Sequence, residues 1–353
     1  MAPIASPAMF HSRRRGVLLL QLGTPDSPST KDVRRYLADF LSDPRVMDVP
    51  APVRWLLLNT VILPFRPRRS AELYRKIWTE DGSPLLVHTK ALADEVQDRL
   101  GDGYLVEFGM RYGSPSIAGA LDRLIAADVT DIRVLPLFPQ YASSAGGSAT
   151  ARTMELLADR WNVPAVSFLP EFYDEPGYFT TVAEVAGPLL AQFRPDHILF
   201  SYHGLPERQV KNADPTGDHC LVSNDCCDAI GPVNRHCYRA QCFATTRSIA
   251  AELRLSPGSH STAFQSRFAG TPWITPQTDR VLEGLHDDGV RRLAVFTSSF
   301  VADCLETLEE IGIRLRNQWM VLGGEDLLLV PCVNETPEWV DTVAAMVSQD
   351  DPS

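Results

Sequence analysis

Residues 16–22 read GVLLLQL, a nearly continuous apolar run that ends at Gly23. Strands with one wet face alternate apolar and polar side chains, whereas a continuous run indicates a strand covered on both faces. We therefore expect a buried parallel strand here. Three arginines at 13–15 give the run some likeness to a signal peptide, but the run is short, Gln21 interrupts it and no cleavage site follows.

Seven further runs of the same kind follow along the chain. They occupy residues 105–110, 132–138, 165–169, 197–202, 262–265, 293–296 and 327–330. Amphipathic stretches, including 89–100, 116–127 and 180–193, lie between them. The repetition of strand and helix predicts an α/β fold with right-handed crossovers. We expect two similar doubly wound, Rossmann-like domains, each with a four-stranded parallel sheet.

The length of 353 residues exceeds that of a usual single hydrophobic core. Pro, Glu, Asp and Gly cluster at 170–176, which favours a domain boundary there. The predicted domains are residues 14–172 and 173–353, the second with a cysteine-rich insert and a C-terminal helix. Roughly the first twelve residues and the last three are expected to be disordered.

The composition bounds the functional classes. Hydrophobic residues make up 44% and charged residues 22%, as in an ordinary globular protein, and the net charge is −11. Nucleic-acid binding needs a basic surface, so we expect no nucleic-acid partner. No run reaches the ~18 apolar residues of a membrane span, and we expect a cytoplasmic protein. The sequence indicates no oligomeric state.

One candidate catalytic residue follows the fifth predicted strand. The segment LFSYHGLP at 199–206 places His203 directly after that strand. Ligands in doubly wound folds bind beyond the carboxyl ends of the strands, and histidine exchanges protons near neutral pH. A histidine here either faces the ligand crevice or merely caps the loop.

A second candidate segment, DCLETLEE at 303–310, follows the seventh predicted strand. The spacing of Asp303, Glu306 and Glu310 predicts three carboxylates on one face of an α-helix capped by Ser298, Ser299 or Asp303. Such a row suits a path for protons or for a hydrated metal ion. The alternative is a solvated acidic face at a helix N-terminus, where the helix dipole favours carboxylates.

Five of the seven cysteines lie between residues 220 and 242, at Cys220, Cys226, Cys227, Cys237 and Cys242. Thiols in the cytosol stay reduced, so this crowding favours metal binding over disulfides. Zinc, an iron–sulfur cluster and free thiols all remain open on chemical grounds. Because Cys226 and Cys227 are adjacent, we expect only one of them to be a ligand.

Residues 53–65 form an apolar stretch followed by Arg66, Arg68 and Arg69. An apolar segment with a basic flank fits peripheral contact with an anionic bilayer through residues 53–69. The alternative is an ordinary buried helix that forms the lip of a pocket.

Several motifs together resemble those of ferrochelatases. The most specific are SYHGLP at 201–206 and DCLETL at 303–308, and the resemblance runs through most of the chain. The other matching segments are LQLGTP at 20–25, residues 36–47, residues 66–85, MRY at 110–112, PQYAS at 139–143 and PWITPQTD at 272–279. The resemblance implies a chelatase-like fold and an enzyme, a lyase that inserts ferrous iron into a porphyrin to form haem.

The resemblance also implies roles for individual residues. His203 would accept pyrrole protons or bind the incoming Fe²⁺, with Glu306 as its acidic counterpart across the porphyrin, and Asp303 and Glu310 would extend the acidic path. The residues that would line or hold the porphyrin are Leu22, Arg111, Tyr112, Tyr141, Ser143 and Trp273. Cys304 departs from the histidine that many family members have, which favours Glu306 as the essential residue of this segment.

For the cysteine-rich insert, the resemblance implies a [2Fe–2S] cluster held by four of the five cysteines. Cys242 is the weaker candidate, because cluster-free relatives can also have a cysteine there. The apolar lip favours protoporphyrin IX as substrate, delivered at the inner face of the cell membrane. The alternatives are coproporphyrin III, another metal such as cobalt, or an iron–sulfur sensor built on a chelatase-like scaffold.

Overall fold

A computed structural model describes residues 14–267 and 271–349 of the protein. The terminal segments predicted to be disordered, the first twelve residues and the last three, lie outside the described residues.

Within the described residues, eight strands form two separate four-stranded parallel sheets, which confirms the predicted fold class. The first sheet has the order β2-β1-β3-β4 and the second the order β6-β5-β7-β8. The first sheet consists of β1 (Arg15–Thr24), β2 (Tyr104–Gly113), β3 (Asp131–Pro136) and β4 (Ala165–Phe168). The second sheet consists of β5 (His197–His203), β6 (His260–Gln265), β7 (Arg292–Phe296) and β8 (Asp326–Leu329). Each of the eight overlaps one of the apolar runs of the sequence. The strands β1, β3, β5 and β7 bury nearly every side chain, as expected of strands covered by helices on both faces.

Helices cover both sheets, and the three amphipathic stretches named above lie in α4, α5 and α7. The helices of the first half are α1 (Thr30–Ser42), α2 (Ala51–Leu57), a π-helical turn (Leu58–Ile62), α3 (Leu63–Ile77), α4 (Pro84–Leu100), a 3₁₀ turn (Gly101–Gly103), α5 (Ile117–Ala126) and α6 (Gly146–Ala158). Those of the second half are α7 (Pro176–Phe193), α8 (Glu207–Asn212), α9 (Tyr238–Glu252), α10 (Thr278–Asp287), a π-helix (Leu305–Leu315), α11 (Arg316–Leu322) and α12 (Pro337–Ser348).

The C-terminal helix α12 packs against α4 of the first half. Trp339 and Val343 are completely buried in the same apolar cluster as Val17 and Val96. A further contact joins α4 to the segment that precedes α12, where His88 Nδ1 lies 2.6 Å from a carboxylate oxygen of Glu335. The two halves of the chain therefore share one core, and the domain boundary near residue 172 stays a prediction.

Candidate active site

The residues singled out from the sequence gather at the carboxyl ends of the strands. Leu22 lies near the end of β1 and Arg111 and Tyr112 near the end of β2, while Tyr141 and Ser143 follow β3. In the second half, His203 ends β5, Trp273 follows β6, and the acidic segment follows β7. This is the edge at which parallel α/β sheets bind their ligands.

His203 is half-buried and fixed through its own backbone and ring. Its backbone N–H donates to Ser299 Oγ at 3.0 Å, and its carbonyl oxygen accepts from the Tyr238 hydroxyl at 2.7 Å. Ring atom Nδ1 lies 2.7 Å from the carbonyl oxygen of Gly204, which favours the tautomer with the proton on Nδ1. Nε2 is then left with the lone pair that can accept a proton or bind a metal ion.

Gly204 allows a close approach that positions Trp273. A Cβ atom at Gly204 would lie 2.7 Å from the carbonyl oxygen of Gln265 and 3.2 Å from the Trp273 ring. Only a residue without a side chain therefore lets the chain turn here against β6. The indole N–H of Trp273 is buried without a hydrogen-bond partner in the described part of the chain.

The acidic segment differs from its predicted form. The helix is a π-helix that begins after Cys304, so Asp303 precedes it and the three carboxylates do not share an α-helical face. The predicted caps Ser298, Ser299 and Asp303 are also wrong, since Cys304 is the N-cap and its thiol accepts from the backbone N–H of Thr307. Asp303 is instead buried, with hydrogen bonds to its carboxylate from Thr307 at 2.8 Å and Asn334 at 2.9 Å.

The end of β6 ties the π-helix to the neighbourhood of His203. Gln265, the register partner of His203 on β6, donates to the carbonyl oxygen of Glu306 at 2.9 Å. The next residue, Ser266, donates its backbone N–H at 3.0 Å and its hydroxyl to the carboxylate of Glu310. Ser266 adopts the left-handed conformation with φ +66°, an uncommon state that aims both donors at one carboxylate.

The surroundings of Glu310 raise the pKa of its carboxyl group. Burial raises the pKa of Glu310 above its usual value, and the charge of Glu306 raises it further. Hydrogen bonding from Ser266 and the charges of Arg314 and His203 oppose this shift without cancelling it. A carboxyl group with a raised pKa beside a histidine is an arrangement that can pass protons.

The π-helix also faces the first half of the chain. Leu305 and Leu308 pack against the apolar cluster that contains Tyr36 and Tyr74. Burial raises the pKa of both tyrosines, and the negative charge of Glu306 adds to the effect. Glu306 therefore lies between the two halves of the protein, within electrostatic reach of α1 and α3.

A fourth carboxylate, Glu309, is almost completely buried and pairs with two cations. Lys76 of α3 approaches one carboxylate oxygen to 3.1 Å, and Nε of Arg314 lies 3.4 Å from the other. The first of these pairs joins the π-helix to α3. Glu309 thus stabilises the position of the helix that carries Glu306 and Glu310.

Arg111 is occupied by an internal partner, the buried carboxylate of Asp43. Arg111 donates to Asp43 at 2.7 Å and to Ser148 Oγ at 2.8 Å. Tyr112 is completely buried, and its hydroxyl donates to the same carboxylate at 2.8 Å. The contribution of Tyr112 to a pocket is therefore indirect, through Asp43.

The segment after β3 contacts both the first half and the cysteine-rich insert. Ser143 Oγ accepts from the exposed Arg45 at 2.8 Å. The backbone N–H of Tyr141 donates to Gln241 Oε1 at 2.6 Å, and its ring lies 5.4 Å from that of His236. Tyr141 and Ser143 are half-buried, as is Leu22, which is the exposure expected of residues that line a pocket.

The five cysteines at 220–242 are all buried and form no disulfide. The sulfur atoms of Cys226 and Cys227 lie 3.7 Å apart, and the Cys237 thiol makes hydrogen-bond contacts with Cys220 and Cys227. Burial raises the pKa of the Cys220 and Cys226 thiols. Cys242 lies within α9, in hydrogen-bond contact with Tyr238 and within electrostatic reach of Cys227. No three or more His, Cys, Asp or Glu side chains among the described residues form a ready metal site.

The apolar stretch that starts at residue 53 forms an exposed lip rather than a buried helix, so the alternative of an ordinary buried helix is wrong. Trp55 is 66% exposed and Phe65 75% exposed. The lip comprises α2, the π-helical turn and the start of α3, with Leu58 and Leu63 anchored in the core. Its other exposed apolar residues are Val53, Leu56, Leu57 and Val61. No helix in the described parts of the chain is long and apolar enough to cross a membrane.

A surface hollow of about 380 Å³ lies elsewhere, at the amino end of β5. Asp196 is its only acidic lining residue, and Leu190, Ile198 and Leu253 make up much of its wall. The titratable groups described above converge at the opposite end of the sheet. We therefore assign the active site to the edge that carries His203.

Sequence reasoning missed several residues of this site. Ser266 and Tyr238 contact the predicted residues directly, while Asp43 and Glu309 neutralise cations around them. Glu309 belongs to the acidic segment 303–310, but nothing in the local sequence marks it as the carboxylate that is buried and paired with cations.

Comparisons with known proteins identify the family of the chain. The family model for ferrochelatase matches residues 14–351. A ferrochelatase of Coxiella burnetii (strain CbuK_Q154) is 46% identical over 342 residues, covering 97% of this chain and 95% of its own. A ferrochelatase of Legionella pneumophila (strain Lens) is 45% identical over 336 residues, covering 95% and 99%.

Among solved structures, SirB from Bacillus subtilis with Fe³⁺ superimposes with a TM-score of 0.51 at 11% identity, covering 95% of this chain and 96% of its own. At that identity the likeness concerns the fold alone. The family model and the relatives at 45–46% identity extend over nearly the whole chain. The chain is therefore a member of the ferrochelatase family.

Proposed function

We propose that this protein is a lyase that inserts Fe²⁺ into protoporphyrin IX to form protohaem, the last step in making haem. The observation that carries the proposal is the convergence of His203 with Glu306 and Glu310 at the carboxyl ends of β5 and β7 in a chain of this family. Metallation must remove two pyrrole N–H protons and strip water from the metal ion. A histidine and acidic side chains supply the acceptors for both tasks.

In the proposed mechanism, Nε2 of His203 accepts a pyrrole proton or binds the incoming Fe²⁺ on one face of the ring. Glu306 is its acidic counterpart on the other face, and Glu310 passes protons onward, as its raised pKa permits. The two nitrogen atoms that lose their protons bind Fe²⁺ together with the two that carried none, so the products are protohaem and two protons. Asp303 is buried and hydrogen-bonded on both oxygens, so we assign it to holding the start of the π-helix.

The porphyrin would lie among Leu22, Tyr141, Ser143 and Trp273. These half-buried side chains offer apolar and aromatic surface together with a few polar groups, the composition expected of a cofactor-sized pocket. We favour protoporphyrin IX because the exposed apolar lip suits a ring with two carboxylates and vinyl groups. Coproporphyrin III, with four carboxylates, is the alternative substrate.

The test is an anaerobic assay with purified protein, Fe²⁺ and either porphyrin, followed by haem absorbance. We expect protohaem formation by the native protein and a loss of at least about 100-fold in His203→Ala. The ring that is metallated faster identifies the substrate. Absence of haem formation with both rings, from folded protein, would overturn the proposal and favour a sensor or a chelatase for another metal.

We also propose that Cys220, Cys226, Cys227 and Cys237 hold a [2Fe–2S] cluster. Four buried thiols in mutual contact are the donors that such clusters use, and we include both adjacent cysteines because their sulfurs belong to one network. Bound there, the cluster would cross-link the insert or store an electron. Protein purified anaerobically should contain two irons and two acid-labile sulfides with visible absorbance that Cys237→Ser removes and Cys242→Ser retains. Colourless protein without sulfide would contradict this.

We further propose that the lip makes peripheral contact with the inner face of the cell membrane. Trp55 and Phe65 project from it, and exposed Arg68 and Arg69 supply positive charge for anionic lipid. The double variant Trp55→Ser/Phe65→Ser should lose co-sedimentation with anionic phospholipid vesicles. Trp161→Ser, which removes a tryptophan that is 99% exposed elsewhere, is the control and should bind as the native protein does. Equal binding by all three proteins would count against membrane contact through the lip.

A further inference from the structure

Tyr238 holds the backbone of His203 from outside the sheet. Tyr238 is the first residue of α9 and is only 6% exposed. Its hydroxyl donates to the His203 carbonyl oxygen at 2.7 Å. Burial raises the pKa of this phenol well above its usual value, so the hydroxyl keeps its proton and remains a donor.

Ser299 makes the second hydrogen bond to the backbone of His203. Its Oγ accepts from the His203 backbone N–H at 3.0 Å and is also in hydrogen-bond contact with the Tyr238 side chain. The N–H and C=O of one strand residue point to the same side, so these two side chains occupy one edge of His203. Together they satisfy both backbone groups of His203 on that edge.

The position of this pair follows from the lengths of the strands. Pairing of β5 with β7 ends at Phe200 and Phe296, whereas pairing with β6 continues to His203 and Gln265. Beyond Phe200 the β7 edge of β5 therefore has no strand partner. Tyr238 and Ser299 replace that missing strand at His203.

Restraint of the His203 backbone also restrains the imidazole ring. Its Nδ1 bonds to the carbonyl oxygen of Gly204, so the aim of Nε2 depends on the backbone at residues 203 and 204. A shift of about 1 Å in a reacting group can cost on the order of 100-fold in rate. A hydrogen-bond donor that fixes the His203 carbonyl oxygen therefore helps to fix the position of Nε2.

We propose that Tyr238 is a positioning residue for His203, fixing the imidazole for Fe²⁺ through the His203 backbone. This inference rests on the proposed role of His203 in metal insertion. Tyr238 touches neither porphyrin nor metal, so its loss should weaken the use of Fe²⁺ and leave the affinity for the porphyrin unchanged.

The test compares Tyr238→Phe with Tyr178→Phe. Tyr178 is also buried, and its hydroxyl donates to the backbone carbonyl oxygen of Ser298 at 3.0 Å. Ser298 precedes Ser299 in the loop after β7. Both variants lose one buried tyrosine-to-carbonyl hydrogen bond, so both should lose similar stability. Only Tyr238→Phe should raise the KM for Fe²⁺, by about three- to tenfold, the effect of one hydrogen bond, with the KM for porphyrin unchanged.

The outcomes separate the possible failures. A KM for Fe²⁺ equal in the two variants, together with an inactive His203→Ala, would overturn the positioning role alone. An active His203→Ala would instead overturn the proposed function on which it rests. If Tyr238→Phe does not fold, Ser299→Ala replaces it, since it removes the other contact to the His203 backbone and should raise the same KM. An unchanged KM in that variant also contradicts the inference.

Discussion

The guanidinium of Arg111 lies 2.7 Å from the carboxylate of Asp43, and both side chains are largely buried, although 68 residues separate them in the chain. Burial alone would raise the pKa of Asp43. Hydrogen bonds from Ser148, from the Arg45 backbone and from Tyr112, with the charge of Arg111, outweigh it and lower the pKa below the usual value. The pair therefore stabilises the wall of the proposed porphyrin pocket in its ionised form.

Asp43→Asn should lower the free energy of unfolding at pH 7 by about 3 kcal/mol, the cost of breaking a buried ion pair. A carboxylate whose pKa is lowered by folding contributes its full stability above the pKa of the unfolded chain, about 4. This stability is lost as the pH falls through the pKa of the folded state. The difference between native protein and variant should consequently shrink in urea unfolding below about pH 4. Asp26→Asn, in an exposed pair with Arg35, should cost less than about 1 kcal/mol. A pH-independent difference would contradict this account.

Lys76→Met should destabilise the protein by about 2 kcal/mol, because buried Glu309 then keeps only the pairing with Arg314. Thermal unfolding of this variant is best compared with that of Lys90→Met. Lys90 forms an exposed pair with Asp94 on one helix, worth less than about 0.5 kcal/mol. Equal losses in the two variants would show that Glu309 does not depend on Lys76.

Cys304→Ala and Glu306→Gln should show which of these two residues at the start of the π-helix is essential for haem formation. The Cys304 thiol is buried beside Leu85 and caps the helix, so its loss should cost about 1 kcal/mol of stability and leave haem formation per folded molecule within about twofold. Glu306→Gln removes the proposed acidic counterpart of His203 and should lower kcat by about 100-fold. Steady-state assays on protein of known folded fraction decide between them, and the reverse ranking would make position 304 the essential one.

Trp339→Ala should cost about 3 to 5 kcal/mol, as expected for a large aromatic side chain removed from a core. Trp339 packs with its ring centroid 5.5 Å from that of Phe172 and 5.6 Å from that of Tyr178. Hydrogen exchange should accelerate in α4 of the first half as well as in α12. Trp161→Ala, at an exposed site, should change stability by less than about 0.5 kcal/mol. Protection of α4 that survives in Trp339→Ala would mean that the two helices are not coupled.

The strands were predictable because burial on both faces leaves a direct trace in the sequence. Most of these runs, such as residues 16–22, are apolar at nearly every position, and each of the eight forms a strand. The carboxyl-end rule then located His203 without any knowledge of side-chain geometry, whereas Trp273 was singled out only through the family resemblance.

The π-helix at 305–315 was not predictable in this way. The same acidic spacing fits an α-helix, and the local sequence does not reveal that Cys304 will cap it or that Asp303 will turn inward. Glu309 and Lys76 meet across 233 residues, a contact that depends on the packing of two distant helices. Charges buried by tertiary structure leave no local pattern.

The placement of α12 has a consequence for how the protein is made. The ribosome releases the residues of the first sheet long before residues 337–348 leave the exit tunnel, yet Trp339 and Val343 complete the core that contains Val17 and Val96. The early part of the nascent chain therefore keeps part of its apolar surface uncovered until residues 337–348 have emerged. An uncovered apolar surface of this kind favours aggregation, and loss of α12 would leave it permanently exposed.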